Sequence, residues 1–69
     1  MQGKPVTRLM RQLMHAARDQ DVIVHDGTSE FYAMLILTRW DWLESTRVGD
    51  RMYLIRLTPL GHKVLEGEM

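Results

Sequence analysis

Trp42-Leu43-Glu44-Ser45-Thr46-Arg47-Val48-Gly49-Asp50-Arg51-Met52-Tyr53-Leu54-Ile55-Arg56-Leu57-Thr58-Pro59-Leu60-Gly61 holds two extended runs, Trp42 to Arg47 and Arg51 to Thr58, around Val48-Gly49-Asp50. A glycine at position 49 is expected to supply the positive φ of a three-residue hairpin loop. Within the second run, Tyr53, Ile55 and Leu57 alternate with Met52, Leu54 and Arg56, so one face joins a core. Arg47 and Arg51 flank the loop and are expected near its tip. Thr58 then reads as an N-cap and Pro59 as the first helical residue of a short helix closed by Gly67. Leu60, Val64 and Leu65 are expected on its inner face.

Upstream of the hairpin, Asp26, Thr28 and Ser29 are competent helix caps, and Glu30 suits the positive end of a helix dipole. A helix is therefore expected from about Ser29 to Trp40. Phe31, Tyr32, Ala33, Met34, Leu35, Ile36, Leu37 and Trp40 place apolar atoms on nearly every side of it. Either a partner or homodimer seam covers the excess, or the first helix and the hairpin bury it together. If a partner covers it, Tyr32, Ile36 and Trp40 are the residues expected to meet that partner. Trp40 and Trp42, which bracket Asp41, also suit the core where helix meets strand.

Further upstream, Val22-Ile23-Val24 is a β-branched run before the turn-forming His25-Asp26-Gly27, which predicts a brief strand able to pair with the hairpin. From Val6, apolar residues recur at Val6, Leu9, Met10, Leu13, Met14 and Ala17, the spacing of a helix with one buried stripe. Met10, Met14 and Met34 fall at core spacing as adaptable filler. Arg8, Arg11, His15 and Arg18 line up on the first helix's outer face as a basic ridge, either a solvated face or a phosphate-contacting surface. The predicted fold class is α+β: helix, short strand, helix, β-hairpin wing, short C-terminal helix.

This order resembles the winged-helix domains of bacterial transcription regulators of the PadR and MarR kinds. Phe31, Met34 and Leu37 carry the likeness on the second helix, followed by Asp41-Trp42-Leu43-Glu44-Ser45 and Arg47, then Gly49 to Gly61. Those families have a leucine-aliphatic-glutamate entry to the first wing strand, an arginine-rich wing, and a Y-x-[LI]-x-L-T-x-x-G phrase that ends the second wing strand. Tyr53, Ile55, Leu57, Thr58 and Gly61 match that phrase, and Asp41 stands where the families usually have glycine. The resemblance implies that the second helix is the recognition helix, with Thr28 and Ser29 at its leading end, and that Arg47 and Arg51 are wing arginines. Base-edge reading favours Arg, Lys, Asn and Gln, yet from Ser29 to Trp40 only Arg39 belongs to that set.

The chain has 69 residues, 45% apolar and 26% charged, with nine Lys plus Arg against nine Asp plus Glu. That balance describes one domain, residues 1–69, and excludes a multi-domain reading. A chain of this size buries roughly 60% of its unfolded surface, so association with a partner is favoured. Formal neutrality means that any DNA affinity must come from locally clustered charge. Without cysteine there are no disulfides, thiolate nucleophiles or zinc cages, and a reducing cytoplasmic setting is expected. The apolar stretch Phe31 to Leu37 is far short of the roughly 20 residues a bilayer needs, and Met1-Gln2-Gly3-Lys4-Pro5 is not followed by a signal-like apolar region.

His15, His25 and His62 lack ligand spacing, so no metal or cofactor is expected. Ser29, Ser45 and Thr46 lack a glycine-framed nucleophile elbow, and no phosphate-binding glycine loop occurs, so no catalysis is expected. The leading expectation is a small DNA-binding transcriptional regulator or accessory protein, as a monomer or a dimer, contacting duplex DNA through Arg8, Arg11, Arg18, Thr28, Ser29, Arg39, Arg47 and Arg51. The alternative is a winged-helix protein-interaction module, of a size that suits a phage or other mobile element, which modulates a partner protein without touching DNA.

Overall fold

The computed structural model describes residues 5–68, so the expectation for the leading residues Met1 to Lys4 lies outside them. Six elements follow in order: α1 (Arg8–Asp19), β1 (Val22–His25), α2 (Ser29–Arg39), β2 (Leu43–Gly49), β3 (Met52–Leu57) and α3 (Pro59–Glu68). The strands form an antiparallel sheet in the order β1-β3-β2, with β3 between its partners. The small α+β, winged-helix-like architecture is thus the one expected. A single helix, α2, connects β1 to β2 among the described residues.

Local chemistry sets the element ends. Thr7 caps α1, its hydroxyl accepting from the Met10 N–H at 3.1 Å while its own N–H donates to Met10 Sδ at 3.5 Å. Val6 therefore precedes the helix instead of opening it, and packs against the core from outside. Of the three cap candidates before α2, Thr28 takes the position: its hydroxyl accepts from the Phe31 N–H at 3.1 Å and donates to the His25 carbonyl at 2.7 Å. Gly27, at φ 88°, makes the preceding turn.

At the other end of α2, Trp40 is the C-cap and Asp41 swings to φ 66°. The Asp41 N–H then donates to the Thr38 carbonyl and the Trp42 N–H to the Leu37 carbonyl, both at 3.0 Å. These are the two bonds of a Schellman motif, and buried Trp42 and Leu37 occupy the positions where its apolar contact forms. The chain leaves the helix directly into β2.

α3 locks onto this same corner. The buried Thr58 hydroxyl donates to the Asp41 carbonyl at 2.6 Å and accepts from the Gly61 N–H at 2.9 Å, so the expected cap also ties α3 to the end of α2. The Thr58 N–H donates to the Trp42 carbonyl at 3.1 Å. Gly61 sits so close to this corner that an added Cβ would collide with the Trp42 carbonyl oxygen and lie 3.0 Å from Leu57 Cγ and Cδ1. Only a residue without a side chain fits there.

The core gathers Met10, Leu13 and Met14 of α1, Val24 of β1, Ala33, Met34 and Leu37 of α2, Trp42, Leu43, Ile55 and Leu57 of the hairpin, and Leu65 of α3. The inward alternation of β3 is as expected, with Ile55 and Leu57 buried and the Tyr53 ring tilted against Phe31, centroids 5.5 Å apart. On the outer face of the sheet Ile23 lies opposite Leu54, which lies opposite Thr46.

Four expectations are corrected. The positive φ of the hairpin belongs to Arg51, at 61°, and not to Gly49. Gly49 is the last residue of β2 and pairs with Met52; an irregularity between Arg47 and Gly49 absorbs Val48, which moves the turn one residue on, to Asp50-Arg51. Gly67 does not end α3, which continues to Glu68, because glycine also adopts helical dihedrals and nothing there requires a reversal. Leu60 is exposed and leaves Leu65, with half-buried Val64, to face the core. The fourth concerns one of the two alternatives for α2: the first helix and the hairpin do not bury it together, since Ala33, Met34 and Leu37 point inward while Tyr32, Leu35 and Ile36 remain exposed.

Candidate functional site

Two regions collect the residues singled out from the sequence. The first is the wing end of the sheet. β1 finishes at His25 opposite Met52, so the Asp50-Arg51 turn lies against the Asp26 segment that leads into α2. The Asp26 N–H donates to the Arg51 carbonyl at 2.8 Å. Arg47, Arg51, Thr28 and Ser29 are thereby brought to one end of the molecule, as the wing reading expects.

Acidic groups accompany them. Arg51 Nε lies 3.8 Å from Asp26 Oδ2, and Arg47 Nη2 lies 3.8 Å from Asp50 Oδ1. Arg47 Nε also donates to the Gly49 carbonyl at 3.2 Å. Exposed pairs of this length are worth about 0–1 kcal/mol, so the guanidinium groups are free to exchange partners. The carboxylates stay, however, and with Glu30 in the first turn of α2 they cancel the local positive field that would draw a phosphate backbone.

The remaining candidate arginines lie elsewhere. α2 runs away from the wing tip toward Leu43, which pairs with Leu57, so Arg39 sits at the opposite end of the sheet. Arg18 lies in the last turn of α1 and is paired with Asp19 at 3.0 Å. Arg8 and Arg11 are exposed on the first turns of α1, and His15 is half-buried. Arg8, Arg11 and Arg18 lie exposed on α1, with an acidic neighbour, Asp19, beside Arg18.

The second region is the outward face of α2. Tyr32 is 62% exposed, Leu35 43% and Ile36 40%. Together with Arg39 they line a shallow, open cavity of about 240 Å³. Their spacing, i, i+3, i+4 and i+7, places all four on one stripe opposite the buried Ala33, Met34 and Leu37.

Trp40, expected at a partner surface, is instead half-buried against the core, its ring edge-on to Trp42 with centroids 4.9 Å apart. The Schellman turn explains this: at the C-cap the chain bends inward and carries the indole with it. Leu35 belongs to the outward stripe although it was not among the expected partner residues. The heptad-like spacing from Tyr32 to Arg39 was the signal that could have found it.

Among the described residues no group of three or more His, Asp or Glu could hold a metal ion, and no helix is long and apolar enough to cross a membrane. The buried side-chain polar atoms described all have hydrogen-bond partners. No protein-family model, curated protein or solved structure matches the chain.

Proposed function

We propose that this chain is a non-catalytic interaction module on a winged-helix-like scaffold, working through the outward face of α2 on another protein surface. One observation carries the reading: the helix that a winged-helix domain would present to the major groove instead presents Tyr32, Leu35 and Ile36, three large side chains that bury apolar area but do not read base edges. A cytoplasmic setting is part of the proposal, supported by the lack of cysteine. Cross-linked in cells, the chain is expected to be captured through the α2 face against a protein surface, a second copy of itself or another chain, and Ile36→Asp is expected to lose that cross-link. Duplex DNA in that protein's place, retained by Ile36→Asp, would overturn the reading.

The convergence of Arg47, Arg51, Thr28 and Ser29 favours a second reading, a small transcriptional regulator or accessory protein whose wing grips duplex DNA. Arg8, Arg11, Arg18 and Arg39 would add peripheral phosphate contacts. Replacing Arg47 with Gln and Arg51 with Asn removes both charges while keeping a residue that tolerates positive φ at position 51. Under this reading the double variant lowers the slope of log affinity against log salt by about 2, roughly one per lost phosphate contact. An unchanged slope, or no duplex binding by the parent at low salt, rejects it.

A further inference from the structure

The partner of the α2 face can be specified further, and this step rests on the interaction-module reading. The stripe Tyr32, Leu35, Ile36, Arg39 has an aromatic ring at one end, a guanidinium at the other, and two aliphatic side chains between. Turned end for end about a two-fold axis between Leu35 and Ile36, the stripe becomes its own complement. Leu35 of one copy then meets Ile36 of the other, and each Tyr32 ring meets the opposite Arg39. Arginine over a tyrosine face is a favourable cation–π pairing, whereas a parallel arrangement would set Arg39 against Arg39.

Charge on the larger scale does not oppose this, since nine cationic and nine acidic residues leave two copies without net repulsion. We infer that the occupant of the α2 face is a second copy of this chain, docked antiparallel through Tyr32, Leu35, Ile36 and Arg39. One 11-residue helix face is smaller than the roughly 800 Å² per partner of a standard interface. A small interface gives weak association, so the dimer is looked for from about 10 µM to 1 mM.

Sedimentation velocity across that concentration range tests it. The parent chain is expected to shift from monomer to dimer, and Ile36→Asp to remain monomeric with an unchanged circular dichroism spectrum. The antiparallel pairing has a sharper signature. Tyr32→Lys alone and Arg39→Glu alone each weaken self-association, but mixed in equal amounts they form a heterodimer, because one Lys–Glu contact and one native Tyr–Arg contact are made together. Both positions are exposed, so neither change threatens the fold. A parent that stays monomeric at about 1 mM, or a mixture that associates no better than its components, overturns the inference. If the monomer also binds no duplex DNA, the module reading survives with a different protein partner; if it binds duplex through Arg47 and Arg51, both fall together.

Discussion

Asp41 holds a backbone conformation that suits a residue without a side chain, and it does so at the corner on which α2, β2 and α3 meet. An L-residue in the left-handed region is disfavoured by roughly 1–2 kcal/mol, less for Asp, whose short polar side chain tolerates it. Asp41→Gly is therefore expected to stabilise the chain by about 0.5–1 kcal/mol, raising the thermal midpoint by about 3–6 °C; an unchanged or lower midpoint would mean that the Asp41 side chain contributes something its φ does not reveal. Gly61→Ala goes the other way. Its methyl group would meet the Trp42 carbonyl, and a loss on the order of 2–3 kcal/mol is expected in urea unfolding, because backbone, unlike a flexible side chain, cannot step aside. Thr58→Val keeps the shape but removes the hydroxyl that caps α3 and donates to Asp41; about 1–2 kcal/mol should be lost, and a near-neutral result would show that water replaces both bonds.

At the scale of elements, the contrast between neighbours on α2 is the sharpest available. Leu37 is fully buried and Leu37→Ala should cost about 2–5 kcal/mol, whereas Ile36→Asp, one position along and 40% exposed, should cost no more than about 1 kcal/mol in chemical denaturation. Equal losses would mean that the outward stripe is buried and is not a surface. Much of this architecture was legible in the sequence. The apolar spacing of α1, the alternation in β3, the Thr58-Pro59 helix start and the β-branched Val22-Ile23-Val24 run each report a local preference that the fold obeys. What escaped was set by pairing between segments. Gly49 looked like the turn glycine, but the register of β2 on β3 places Met52 opposite it and hands the left-handed position to Arg51. The apolar residues all round α2 allow two covers, a partner or the first helix with the hairpin; that the chain itself covers only one side is decided by how the elements pack, which composition does not report. The spacing from Tyr32 to Arg39 already groups Leu35 and Arg39 with Tyr32 and Ile36; that this stripe is the outward one follows from the burial of Ala33, Met34 and Leu37.

Taken as a whole, the molecule carries its wing arginines and the outward stripe of α2 on different elements, with Ile23 and Val48 also exposed on the sheet. The wing end carries Arg47 and Arg51 with Asp26 and Asp50 beside them, and the long side of α2 carries the uncovered Tyr32, Leu35 and Ile36. A neutral chain with paired arginines has little long-range attraction for a polyanion, while exposed apolar area favours contact with protein. Amide chemical-shift mapping by NMR separates these possibilities in one sample, first on raising protein concentration and then on adding mixed-sequence duplex at low salt. The shifts expected are at Tyr32, Leu35, Ile36 and Arg39 with concentration, and none at the wing with duplex. Duplex-dependent shifts at Thr28, Arg47 and Arg51, with α2's outward face silent throughout, would contradict the account.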